Sequence, residues 1–94
     1  DGQSAKILLM SPPHLGDNLV DIPSGEEMGF ERGISYSKRL ASIYEDWAKF
    51  HNIEFLDAAK YANPSEIDAC HLTRESHRKL GKMVAKKCKE ILEI

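Results

Sequence analysis

Apolar residues first cluster in an unbroken run, Lys6-Ile7-Leu8-Leu9-Met10, which is stopped by Ser11-Pro12-Pro13. A short run of this kind suits a strand covered on both faces, as in a parallel sheet. Proline has no N–H to give a ladder, so the pair ends the strand. Residues 14–33 show little periodicity and are rich in Gly, Pro, Asp and Glu; a long loop is expected there, with a helical turn near Glu26–Phe30. Loops this long in compact domains are usually functional. From about Ile34 to His51, Leu40, Ile43, Tyr44, Trp47 and Phe50 recur at helical spacing. Ser35 or Ser37 is the expected cap, and Tyr44, Trp47 and Phe50 are expected in the core. Ile53-Glu54-Phe55-Leu56-Asp57 predicts a second strand. Beyond Asn63-Pro64, Thr73 is the expected N-cap of a last helix running to about Leu92. Leu80, Met83, Val84, Cys88 and Ile91 share one face of that helix, with Cys88 expected as a buried thiol. Gly81 inside it costs about 1 kcal/mol relative to Ala, which predicts close packing against a neighbour.

The order β-α-β-α predicts an α/β fold with two parallel strands joined by a crossover helix. Two strands do not make a sheet covered on both faces, so the strand at Ile7–Met10 is expected to want a further neighbour on its free edge. If the chain folds alone, that edge and the uncovered helix faces should drive self-association into a dimer or higher oligomer.

Composition narrows the function only a little. Among 94 residues, 13 Lys and Arg stand against 15 Asp and Glu, and the net charge of −2 gives no argument for a nucleic-acid or membrane partner. No apolar run approaches the roughly 20 residues of a membrane helix. Asp17, Asp21, Glu26, Glu27 and Glu31 make the long loop acidic. Arg74, Arg78, Lys79, Lys82, Lys86, Lys87 and Lys89 make the last helix basic. Without aromatics between them to stack on bases, these are expected to form a solvated face that also complements the helix C-terminus. Cys70 and Cys88 are too few for a disulfide framework, which favours a reduced, cytoplasmic setting. The chain begins with Asp rather than Met and opens on no signal-like segment, as expected for a fragment or a processed chain.

The stretch Asp68-Ala69-Cys70-His71-Leu72-Thr73 carries the candidate chemistry. An Asp three residues before a His, in a turn ahead of a helix, can hold the imidazole in one tautomer and favour the imidazolium formed when it accepts a proton. On its own the pair is a short pattern that an Asx turn and a solvated His also satisfy. Its surroundings add to it: a Leu after the His, the Thr cap, a second His six residues on (His77), then Leu80-Gly81.

Together these residues resemble the last block of SGNH (GDSL-like) serine ester hydrolases, in which Asp-x-x-His-Leu/Phe precedes a closing helix. The resemblance runs from about Lys6 to Leu92, and the Ser-Pro-Pro strand end and acidic loop look closest to the arylesterase and acyltransferase-like branch. It implies a flavodoxin-like three-layer α/β/α domain of which residues 1–94 form the C-terminal part. It also implies a Ser–His–Asp catalytic triad in which His71 is the base and Asp68 orients it, acting on a small acyl ester without metal or organic cofactor. Pro13, His14 and Leu72 are the candidate substrate-lining residues, His14 because it follows a strand end of the kind where α/β sheets bind ligands. The Gly-Asp-Ser-Leu-type nucleophile block and the oxyanion-hole blocks are absent. Ser4, Ser11, Ser24, Ser35, Ser37, Ser42, Ser65 and Ser76 all lie outside a recognisable nucleophile setting, so the 94 residues are expected to be inactive alone. A Cys70 nucleophile and a metal site from Asp68, Cys70, His71 and His77 are weaker readings, the latter lacking ligand spacing. The rival of another class is a small non-catalytic α/β interaction or scaffolding domain.

Overall fold

The computed structural model describes residues 5–94; Ser4 lies outside them. Strand β1, Leu8–Ser11, pairs in parallel with β2, Glu54–Asp57, in the register Leu8↔Glu54 to Ser11↔Asp57. Helix α1, Phe30–Phe50, joins them and packs against both strands, and α2, Arg74–Leu92, follows and touches β2. The α/β reading with two parallel strands is therefore borne out.

β1 lies later than the hydrophobic run suggested, and Ser11 belongs to it. The reason is chemical: Ser11 is fully buried, and its hydroxyl donates to Asp57 Oδ1 on the facing strand at 3.2 Å. Among the described residues, coverage of both strand faces is not found: Leu8 and Leu9 are half-buried and Met10 is exposed.

The expected loop is largely wound into two 3-10 helices, Asp17–Asp21 and Pro23–Met28, the second started by a proline whose missing N–H costs nothing there. α1 begins four residues before Ile34, and neither Ser35 nor Ser37 caps it. Its N-cap is Gly29, at φ 81. Glycine suits that left-handed turn, and Gly33 continues the helix because a Cβ there would lie 1.8 Å from the Met28 carbonyl oxygen. Ser37 is instead buried inside α1, where its hydroxyl donates to the Ile34 carbonyl at 2.7 Å and accepts from the Leu15 N–H at 3.0 Å. α2 starts as expected, with Thr73 Oγ1 accepting the Ser76 N–H at 3.0 Å.

The core is small. Leu19, Ile34 and Ala69 form its cluster, with Leu15 and Ile22 packed against them. Tyr44 is half-buried, whereas Trp47 and Phe50, expected inside, are exposed. Helical spacing identifies an apolar face but not which face the rest of the chain covers. Cys88 is half-buried rather than buried. Among the described residues, a Cβ at Gly81 would meet no atom within 4 Å, so the close packing inferred from it is not found there. The Cα radius of gyration is 15.4 Å, against about 12 Å for a compact domain of this length, as expected of an assembly of elements with uncovered faces.

Gly33→Ala is expected to lower the unfolding free energy by about 1–3 kcal/mol, the cost of overpacking against backbone. Urea denaturation reads this directly, and an unchanged midpoint would contradict the assigned start of α1.

Candidate active site: the Asp68–His71 turn

Parallel strands end together, so the segments leaving β1 and β2 share one end of the sheet, the end at which such sheets bind ligands. From β1 the chain runs through Pro13 and His14, both half-buried, to Leu15 and Gly16. From β2 it passes a single 3-10 turn, Ala58–Lys60, started by Asp57, whose Oδ1 accepts the Ala59 N–H at 3.0 Å. It then forms a closed turn between Pro64 and Leu72, which pair as an antiparallel bridge.

Within that turn, Ser65 N donates to the His71 carbonyl at 2.6 Å and Ala69 N to the Ser65 carbonyl at 2.8 Å. Ser65 Oγ accepts the Ile67 N–H at 3.1 Å. Ala69 takes a left-handed conformation, φ 57, which reverses the chain directly after Asp68. The reversal aims two successive N–H groups at one carboxylate oxygen: Asp68 Oδ1 accepts from Cys70 N at 3.0 Å and His71 N at 2.9 Å. Its other oxygen, Oδ2, is hydrogen-bonded to His71 Nδ1.

The first segment fastens the second. Gly16 N donates to the Ala69 carbonyl at 2.8 Å, and Asn18 Nδ2 donates to the Glu66 carbonyl at 2.8 Å. A Cβ on Gly16 would lie 2.7 Å from Asn18 Oδ1 and 3.0 Å from the Ala69 Cβ, so the absence of a side chain at residue 16 eases the close approach of the two backbones. Below them, Ala69 closes on Leu19 and Ile34.

Electrostatics follow from this geometry. The His71 ring, then the Cys70 and His71 N–H groups, hold the Asp68 carboxyl down at about 2, against its ordinary 3.8. With Nδ1 engaged by the carboxylate, Nε2 is the ring nitrogen left to exchange a proton, and the His71 side chain is 85% exposed. Oriented in this way, the imidazole can serve as a general base and then as a general acid.

Asp68 and His71 are thus brought into one pair, with Leu72 half-buried next to them in the chain. Pro13 and His14 lie on the segment that the Gly16 and Asn18 hydrogen bonds fasten to the turn. His77 is exposed on α2. Among the described residues, no group of three or more His, Cys, Asp or Glu side chains is placed to hold a metal ion, and no helix is long and apolar enough to cross a membrane. The positioning residues Gly16, Asn18 and Ser37 escape sequence reasoning because their partners lie 22 to 53 positions away in the chain.

No protein-family model and no curated protein matches the chain. Solved structures do. A carbohydrate acetylesterase family member from Sinorhizobium meliloti superposes with a TM-score of 0.85 at 28% identity, covering 100% of this chain and 43% of that one. This chain has the fold of part of an esterase. The aryl esterase of M. smegmatis gives a TM-score of 0.78 at 29% identity over 92% of this chain and 39% of its own. A putative arylesterase from Agrobacterium tumefaciens gives 0.72 at 31% identity over 92% and 39%. The chain therefore spans about two fifths of the length of the esterases it matches, and the resemblance to ester hydrolases read from its residues is borne out.

The Asp68 carboxyl sets an expected pH dependence. Its value is depressed in the folded turn, so the hydrogen bonds that need the carboxylate contribute fully above 3.8 and are lost as pH falls through about 2. A carboxyl carbon-13 titration of Asp68 in the folded chain is expected to show a midpoint near 2; one near 3.8 would contradict the bonded geometry.

Proposed function

We propose that Asp68 and His71 are two members of a Ser–His–Asp triad in an SGNH (GDSL-like) serine ester hydrolase. The nucleophilic serine and the oxyanion-hole donors would come from residues outside these 94. The observation that carries this reading is the doubly anchored Asp68 carboxylate bonded to His71 Nδ1. An ordinary Asx turn needs only the backbone N–H bonds; the additional ring contact is what a base awaiting a nucleophile requires. Likeness to carbohydrate acetylesterases and aryl esterases supports the same chemistry. In the whole domain β1 and β2 would be the last two strands of a flavodoxin-like three-layer sheet, the other strands adding at the open edge of β1. In a chain folding alone, that edge would be a site of self-association.

The steps follow from the geometry. His71 Nε2 takes the serine hydroxyl proton as the oxygen bonds to the ester carbonyl carbon. The tetrahedral oxyanion then collapses, the bond to the alcohol oxygen breaks, and the alcohol leaves with the proton from Nε2. Water repeats the sequence to release the acid. Asp68 stays ionised throughout and keeps Nδ1 protonated. Every step is acyl or proton transfer, which calls for neither metal nor organic cofactor. Pro13, His14 and Leu72 would border the acyl or alcohol group. The substrate class is a small acyl ester, such as an acetylated carbohydrate or an aryl ester.

The test is p-nitrophenyl acetate hydrolysis by the full-length protein containing this chain, by its His71→Ala variant, and by the 94 residues alone. The variant is expected to lose about 10³-fold or more in kcat, and the 94 residues to stay at background. Activity unaffected by His71→Ala, or a folded parent inactive on a panel of esters, would favour a non-catalytic interaction module.

A further inference from the structure

The chain enters and leaves Asp68 under different constraints. On the leaving side the Ala69–Cys70 peptide is bonded at both of its polar atoms. Its carbonyl accepts from the Gly16 N–H at 2.8 Å and its N–H donates to Asp68 Oδ1 at 3.0 Å. Buried Ala69 also packs against Leu19 and Ile34. On the entering side Glu66 and Ile67 are both exposed, Ile67 by 89%, so among the described residues side-chain packing gives the backbone no comparable hold.

Two hydrogen bonds to a single peptide group take its place. The Glu66 carbonyl accepts from Asn18 Nδ2 at 2.8 Å, and the Ile67 N–H of that same peptide donates to Ser65 Oγ at 3.1 Å. A trans peptide is planar, with its C=O and N–H pointing opposite ways. Gripped at both, the group cannot rotate about the chain direction without losing a bond. Each anchor is itself fixed. The Ser65 N–H donates to the His71 carbonyl at 2.6 Å, and the Ser65 carbonyl accepts the Ala69 N–H at 2.8 Å. Asn18 lies between Gly16, which is bonded to Ala69, and Leu19, which is buried in the core cluster. The direction in which the chain reaches Asp68 is therefore set by the first 3-10 helix, 48 positions away from Glu66, together with the residue that binds the His71 backbone.

We propose that Asn18 and Ser65 are paired positioning residues, whose side chains clamp the Glu66–Ile67 peptide and thereby hold the Asp68 carboxylate against His71. In its kinetic consequences this rests on the ester-hydrolase reading above; in its geometry it does not. The Asp68 carboxyl, held at about 2 chiefly by the His71 ring, reports the alignment directly.

The test uses the full-length protein containing this chain. Asn18→Ala and Ser65→Ala are each expected to lower kcat for p-nitrophenyl acetate by about fivefold, the scale of one neutral hydrogen bond, with KM unchanged and helical circular dichroism retained. In both variants the carbon-13 titration midpoint of Asp68 is expected to rise from about 2 toward 3.8. Ser65→Thr, which keeps a hydroxyl, is expected to retain activity and midpoint. The double variant Asn18→Ala/Ser65→Ala is expected to lose less than the product of the single losses, because both side chains act on one peptide. Lys38→Ala, which breaks only the exposed ion pair with neighbouring Asp17, is expected to change neither kcat nor the midpoint. A midpoint that stays near 2 in both alanine variants, losses that multiply in the double variant, or equal losses in Ser65→Thr and Ser65→Ala would overturn the proposal. If the wild-type protein hydrolyses no ester, the hydrolase reading fails, and the Asp68 midpoint by itself still decides the clamp.

Discussion

Ala69 holds a left-handed backbone conformation at a fully buried position, and the candidate site depends on it. A non-glycine residue there costs about 1–2 kcal/mol, which the surroundings must offset. They do so from three directions. The Gly16 N–H binds the Ala69 carbonyl, the Ser65 carbonyl binds its N–H, and Leu19 and Ile34 close on its methyl group. Glycine at 69 would be free of the backbone strain but would leave the cluster without that methyl, so the position weighs packing against conformation. The reversal at Ala69 is what turns the Cys70 and His71 N–H groups toward Asp68 and so sets the carboxylate against the imidazole.

Because Leu19 lies on the first 3-10 helix and Ile34 on α1, the site rests on packing that spans half the chain. Ser37 adds a buried tie, holding Leu15 one residue before the Gly16 contact. The exposed ion pair between Lys38 and Asp17 crosses the same junction at 3.0 Å but contributes little, as solvated pairs do. Precision at Asp68 and His71 therefore comes from short-range hydrogen bonds inside the turn, and its orientation from apolar contacts and backbone bonds made far away in sequence. The rest of the chain is loosely covered, with exposed apolar residues on α1 and on β1. An esterase-like fold of about two fifths the length of its relatives is expected to leave such faces.

What the sequence made legible was local. The Asp68–His71 pair spans three positions, Thr73 caps its helix within three, and hydrophobic periodicity located α1, α2 and both strands to within a few residues. What it hid was set by partners elsewhere. Ser11 resembles a strand terminator until Asp57 is placed opposite it. Gly29 and Gly33 look like loop residues, although one starts α1 and the other clears the Met28 carbonyl. Trp47 and Phe50 have helical spacing, but spacing alone does not say which of two apolar faces the sheet covers. Gly16 gave no signal, because its role is the close approach of a backbone more than fifty residues on.

The most direct test of this account is the tautomer of His71, read from the nitrogen-15 shifts of its ring in the folded protein. A carboxylate on Nδ1 requires the neutral ring to carry its proton there and leave Nε2 as the acceptor, and Asp68→Asn is expected to abolish that preference. A neutral His71 protonated at Nε2, or one whose tautomer ignores Asp68→Asn, would contradict the claim that this turn holds a base ready for a nucleophile.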